Sequence, residues 1–281
     1  MSTTEILTIQ DVSCHGQCSL TVALPILSAM GIETAILPSA VLSTHTGGFT
    51  GYTFRDLTED LPLILRHWEK EGILFDGFYT GYVGSKKQLS YIKDIVLSRG
   101  KAGAKFIVDP VMADGGKFYA GFDESFAKEM AAFLKGADVI LPNLTEAAFL
   151  LGKPYQGDSY DRAYIETLAR ELSDLSEGDV VLTGVSFDPL LLGVAAYDRR
   201  TGMVSYSFEE RVEGSFHGTG DVYASAFTGA LLRGKSLDEA AALAADFTVR
   251  AIKATLPDRK EHWYGVKFEQ ALPYLISKIN G

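Results

Sequence analysis

The run Phe216-His217-Gly218-Thr219-Gly220-Asp221 sets a glycine-rich turn and a carboxylate directly ahead of an apolar stretch. Val222, Tyr223, Ala226, Phe227, Ala230 and Leu231 recur at helical spacing, so Val222–Arg233 is expected to be a helix. The first N–H groups of a helix have no internal partner, and the positive end of its dipole lies among them, which suits a phosphate. Gly218 and Gly220 let the backbone approach such a group closely. Asp221 then adds negative charge where an anion would sit. Two readings follow: Asp221 caps the helix, or it takes the proton from a hydroxyl that attacks a phosphoryl group. A lone Gly-Thr-Gly does not choose between them.

Other residues able to do chemistry fall where strands are expected to end. Glu5–Gln10 reads as a strand and leads into Gln10, Asp11, Ser13 and His15-Gly16. Strands are also expected over Thr34–Pro38, Phe75–Thr80, Lys105–Asp109, Val139–Pro142 and Val180–Thr183. The last four run into Gly81-Tyr82, Asp109-Pro110 through Asp114-Gly115-Gly116, Asn143-Leu144-Thr145-Glu146, and Gly184. Helices are expected over Ser19–Met30, Leu61–Glu71, Ser85–Ser98, Glu124–Leu134, Thr145–Leu151, Tyr164–Leu175, Ser236–Leu256 and Phe268–Ile279. Leu190–Tyr197 and Met203–Phe208 read as a β-pair, and the glycine-bearing Thr44–Tyr52 as a loop or flap. Alternating strands and helices specify an α/β class, a central mostly parallel sheet with helices on both faces. In such sheets ligands bind beyond the carboxyl ends of the strands. No low-complexity linker or internal repeat divides residues 1–281, so one domain is expected.

Composition narrows the partners. The net charge of −10, from 26 basic and 36 acidic residues, argues against nucleic acid and anionic membrane as partners. No apolar run approaches membrane-spanning length, and no leader is recognisable, so a cytoplasmic location is expected. Cys14 and Cys18, the two cysteines, cannot build a disulfide framework and read as ordinary thiols near a site. The dinucleotide fingerprint, the P-loop and the Gly-x-Ser-x-Gly elbow are all absent.

Taken in order, Ile9-Gln10, Thr44-His45-Thr46, Thr80-Gly81-Tyr82, Asp109-Pro110-Val111-Met112, Pro142-Asn143-Leu144-Thr145-Glu146 and Gly218-Thr219-Gly220-Asp221 resemble the pyridoxal kinase family of the ribokinase-like superfamily. The likeness runs from about residue 5 to about residue 255. It implies ATP and Mg²⁺ as cofactors, a vitamin B6 vitamer as substrate, and a homodimer. It implies Asp221 as the base for the substrate hydroxymethyl group, with Gly218, Thr219 and Gly220 as the anion hole. Asp109 and Glu146 then resemble the acidic pair that holds magnesium. Asn143, Asp114, Thr183, Gly184 and Phe216 fall on the nucleotide side. Gln10, Asp11, His45, Thr46 and Tyr82 fall against the ring.

Single residues keep plainer readings. Asn143 or Thr145 can be a helix cap, Asp109 a strand end before proline, Tyr82 a packed aromatic and His45 a surface residue. The first loop departs from the family: Asp11 stands where many members place a serine, with Ser13 two residues on. An acid there would favour the amine of pyridoxamine over pyridoxal. Two alternatives stand beside the B6 kinase: a hydroxymethylpyrimidine kinase of thiamine synthesis, which usually has cysteine in place of Asp221, and a non-catalytic B6 or nucleotide sensor.

Overall fold

The computed structural model describes residues 4–280. In chain order the strands are β1 (Glu5–Ser13), β2 (Glu33–Leu42), β3 (Phe54–Asp56), β4 (Phe75–Thr80), β5 (Gly100–Val108), β6 (Ala113–Asp114), β7 (Lys117–Phe118), β8 (Val139–Ile140), β9 (Asp179–Val185), β10 (Leu191–Asp198) and β11 (Met203–Glu210). The helices are α1 (Leu20–Ala29), α2 (Leu61–Glu71), α3 (Lys86–Arg99), α4 (Glu124–Leu134), α5 (Leu144–Leu150), α6 (Arg162–Ser176), α7 (Thr219–Leu232), α8 (Leu237–Thr255) and α9 (Leu272–Asn280).

Nine strands form one sheet in the order β11-β10-β9-β8-β5-β4-β1-β2-β3. The six central strands, from β9 to β2, are parallel. The hairpin β10–β11 and the short β3 pair antiparallel at the two edges. Alternate residues of each central strand feed two apolar layers. Leu7, Ile9, Phe78, Val108, Ile140 and Leu182 pack under α2 to α6. Ile6, Tyr79, Ile107, Val139 and Val181 pack under α1, α7 and α8.

Strand β1 pairs with β2 on one side and β4 on the other, so the chain turns outward in both directions from β1. That switch point opens a crevice beyond the carboxyl ends of β1 and β4, between Gln10-Asp11 and Gly81-Tyr82. The β1–β2 register shifts between Gln10 and Val12, and pairing resumes at Val12 and Ser13. Strand β1 therefore runs past the expected end at Gln10, with Asp11 at the irregularity, where a side chain is re-aimed.

Local signals fix most helix ends. Ser85, Asp123 and Asp161 accept N–H bonds at the starts of α3, α4 and α6. Asn143–Glu146 and Ser236–Glu239 form capping boxes at α5 and α8. Several elements differ from the sequence-based expectation, and β2 runs on to Leu42, past the expected end at Pro38. Strand β3 lies in exposed residues with no alternation, and β6 and β7 make a two-residue hairpin inside the segment after Asp109. The final helix is preceded by a separate 3-10 turn over Phe268–Gln270. Among the described residues no helix is long and apolar enough to cross a membrane.

Candidate active site

Helix α7 starts on Gly218, in the left-handed conformation at φ 76°, with no side chain capping the first turn. A side chain at Gly218 would collide with the Gln17 carbonyl, because a Cβ there would lie 1.8 Å from that oxygen. The glycine is therefore needed both for its conformation and for the close passage of the Gln17-Cys18 segment. Asp221 follows in the first turn and is half-buried. Burial pushes its carboxyl up to about 7; the Ser19 N–H and the Cys18 thiol oppose the shift, and the charge of Asp11 adds to it. A carboxyl poised near neutrality is suited to accept a proton at physiological pH. Ser19, which the sequence reading did not single out, holds φ 55°, and its backbone N–H faces Asp221.

Across the crevice, Asp109 closes β5 and Glu146 sits in the first turn of α5, both buried. Glu146 accepts N–H bonds from Met112 at 2.9 Å, Ala113 at 3.4 Å and Asn143 at 3.0 Å. Burial nonetheless raises its carboxyl to about 7. Asp109 is driven well above the usual carboxylate range, first by burial, then by the charges of Glu146 and Asp221, against a bond from the Val111 N–H. Val111 is β-branched and yet holds φ 35°. Ser19 and Val111 thus place two of the three non-glycine residues at positive φ, among the described residues, beside these carboxylates, where strain is tolerated only if the surroundings enforce it.

The acids repel one another, a cost that a cation between them would remove. Among the described residues no group of three or more His, Cys, Asp or Glu side chains converges as a metal cage. Two carboxylates fit a hard cation that keeps waters and takes its remaining oxygens from a phosphate.

At the switch point Gln10 is buried, and its amide donates to Thr8 Oγ1 at 2.9 Å. Gly81 leaves room for the Gln10 side chain, whose Oε1 would lie 2.7 Å from a Cβ there. Asp11 is buried and accepts from Ser13 Oγ at 2.9 Å; burial raises its carboxyl, against bonds from Ser19 and Ser13. Tyr82 lies half-buried, tilted against Phe122 with ring centroids 5.6 Å apart. Its phenol is pushed up to about 12 by burial, then by Asp11 and other acidic groups.

His45 is buried in the Thr44–Tyr52 loop, its Nε2 2.7 Å from the Tyr264 carbonyl, and its Nδ1 accepts the Gly47 N–H at 3.1 Å. Both ring nitrogens are therefore engaged by backbone, which fixes the neutral Nε2–H tautomer. Thr46 beside it is exposed.

Of the residues that the family resemblance sets on the nucleotide side, Asn143 and Thr183 lie at the β8–β9 end of the crevice. Asn143 spends its amide oxygen on the Thr145 and Glu146 N–H groups and donates to the Ala113 carbonyl at 2.8 Å, so its side chain ties α5 to β6. Thr183 bridges to Asn143, and exposed Gly184 follows at φ 77°. Asp114 is exposed in the β6–β7 hairpin and accepts the Gly115 N–H at 2.8 Å. Phe216 lies ahead of Gly218 under the Arg259 guanidinium, 4.9 Å from its ring. The sequence reading missed the His262–Gly265 segment, whose His262, Trp263 and Tyr264 rings join His15, His45, Phe49 and His217 in one aromatic cluster. Four of the five histidines of the chain meet there, a grouping that spacing along the chain does not reveal.

The sequence model of the family described as phosphomethylpyrimidine kinase matches residues 70–264. A pyridoxal kinase of Arabidopsis thaliana is 26% identical over 276 residues, 93% of this chain and 85% of that protein. The crystal structure of a Bacteroides thetaiotaomicron protein, provisionally named a phosphomethylpyrimidine kinase and solved in a form with pyridoxal, superposes with a TM-score of 0.92. It is 36% identical, over 98% of this chain and 96% of that one. The pyridoxal kinase of Lactobacillus plantarum gives a TM-score of 0.91 at 34% identity, over 99% of this chain and 98% of that one. With the family model spanning more than half of the sequence and the Lactobacillus enzyme matched end to end, the chain belongs to the pyridoxal kinase family of ribokinase-like small-molecule kinases.

Proposed function

We propose that the protein transfers the γ-phosphoryl group of ATP to the 5′-hydroxymethyl group of a vitamin B6 vitamer. The observation that carries this reading is Asp221, poised near 7 in the first turn of a helix whose glycine start leaves the backbone open. In this reading Asp221 accepts the hydroxymethyl proton as the oxygen attacks the γ-phosphorus and ADP departs. The N–H groups of the Gly218-Thr219-Gly220 turn take up charge on the transferring group. Asp109 and Glu146 would hold Mg²⁺, which would supply positive charge to neutralise the phosphate oxygens. Glu146, which already accepts three N–H bonds, would contribute its charge to that site. Tyr82, Gln10, Asp11 and the flap residues His45 and Thr46 face the ring. Asp114, Asn143, Thr183, Gly184 and Phe216 flank the nucleotide. Residues 1–281 act as a single kinase domain in the cytoplasm and pair as a homodimer, as the family resemblance implies.

A hydroxymethylpyrimidine substrate is the second reading, favoured by the description of the matching family model. One experiment separates them: ATP consumption with Mg²⁺ and pyridoxal, pyridoxamine, pyridoxine or hydroxymethylpyrimidine. Turnover of the B6 vitamers above the pyrimidine is expected, with pyridoxamine ahead of pyridoxal if Asp11 meets the amine. Faster turnover of the pyrimidine overturns the B6 reading, and binding without turnover of any of the four makes the protein a sensor.

A further inference from the structure

Three separate stretches of chain meet at one backbone oxygen. The Tyr264 carbonyl faces His45 Nε2 at 2.7 Å and accepts the Gln17 N–H at 3.4 Å. The first contact holds the flap, and the second holds the loop that crosses Gly218. Glycines let these pieces close on one another: a Cβ at Gly16 would lie 2.2 Å from the His45 ring, one at Gly47 2.8 Å from His217, and one at Gly48 2.7 Å from Trp263. The His45 and His217 ring centroids are 5.3 Å apart, and His217 directly precedes the glycine that starts α7. Phe49 at the flap tip packs on Trp263, centroid to centroid 4.6 Å, while Trp263 itself stays 41% exposed.

We propose that His45 is a positioning residue of the substrate pocket, and that the Tyr264 carbonyl is the anchor through which it holds the Thr44–Tyr52 flap over the Asp221 helix start. Both ring nitrogens of His45 are engaged by backbone, so its polar atoms serve the flap and not the reacting atoms. The segment His262–Gly265 is then a wall of the pocket supplied from beyond the sheet. The consequence for binding rests on the kinase reading above, whereas the closure of the flap does not.

The test measures amide exchange of the 44–52 peptide together with pyridoxal affinity, read from the vitamer's absorbance, and turnover. His45→Ala is expected to speed flap exchange about tenfold, the worth of about one lost hydrogen bond. It is also expected to raise Kd and KM for pyridoxal more than it lowers kcat. His45→Gln, whose amide can still donate to the Tyr264 carbonyl, is expected to recover part of both losses. Gly48→Ala strains a backbone at φ 84° and drives the flap from Trp263 without touching His45, so it should loosen the same peptide. Unchanged exchange in His45→Ala overturns the proposal. So does faster exchange with unchanged affinity, or a collapse of kcat with affinity intact, which would place His45 at the reacting atoms. Wild-type protein that binds pyridoxal but turns over none of the three vitamers or the pyrimidine would sink the kinase reading while exchange and affinity still decide the latch.

Discussion

Asp221 draws its chemistry from a conflict among its neighbours. Burial and the charge of Asp11 push its proton on, while the Ser19 N–H and the Cys18 thiol stabilise the anion, and the balance falls at about 7. As a general base Asp221 works only when ionised, so kcat/KM should rise with pH through about 7 and level off above it. Asp221→Asn should keep nucleotide affinity and lose roughly 10²–10⁴ of turnover, the usual worth of a positioned base. Steady-state kinetics beside nucleotide titration would show this, and near wild-type turnover would remove Asp221 from the role. Cys18 offers a finer check. Its thiol lowers the Asp221 value, so Cys18→Ala should move the acid limb of the profile to higher pH, and Cys18→Ser, which keeps a donor, should move it less. A limb that stays fixed in Cys18→Ala would show that the thiol does not act on Asp221.

At the scale of elements, the start of α7 depends on what crosses it. Gly218→Ala places a methyl against the Gln17 carbonyl and forces a left-handed conformation that costs an L-residue about 1–2 kcal/mol before any clash is counted. Melting should therefore fall by several degrees, and turnover should drop with it as the Gln17–Ser19 segment shifts off Asp221. A variant that melts and turns over like wild type would show that the crossing is slack. This junction also marks where sequence reading stopped. The glycine turn ahead of α7 and the cap at Asn143 were legible because each is a local pattern whose physics is complete within a few residues. The extents of α2, β4 and α4 were legible too, from apolar spacing and flanking turn residues. Strand β3 was not, because a three-residue exposed edge carries no alternation, and its pairing is decided by Ala40–Leu42 across the sheet. The bond from His45 to Tyr264 spans 219 positions in the sequence, and residues 256–267 show no apolar period to announce a packed segment. Asn143 was legible as a helix cap, but only the structure shows how fully its side chain is spent on the α5 cap and the β6 carbonyl.

For the whole molecule, one end of the sheet concentrates what the rest of the fold must hold together. Asp11, Asp109, Glu146 and Asp221 all have carboxyls raised by burial, in a chain that already carries a net charge of −10. A carboxyl with a higher pKa folded than unfolded favours the fold when protonated. The contribution of Asp221 and Glu146 is therefore fully present below about 4 and is lost as pH rises through about 7. Other groups oppose this at acid pH, among them Asp56, Asp76 and Asp123, whose carboxyls are lowered and which give up stability as they protonate. Between about 5 and 8 the lowered acids stay ionised, and the imidazoles of His45, His217 and His262, all lowered by burial, favour the fold as pH rises through about 6.5. The four more deeply buried carboxyls outweigh these three, so the ligand-free protein should melt at a lower temperature at pH 8 than at pH 6. Asp221→Asn removes one of the buried charges and should raise the melting temperature at pH 8 while abolishing most turnover, the trade expected where a site is kept at the expense of the fold. Mg²⁺ with ATP should stabilise the wild type more at pH 8 than at pH 6, because a cation relieves repulsion only between acids that have ionised. Melting curves at the two pH values, with and without the ligands, test both statements. Equal melting at pH 6 and 8, together with an equal gain from the ligands at each, would mean that these four acids are not the strained end of the molecule.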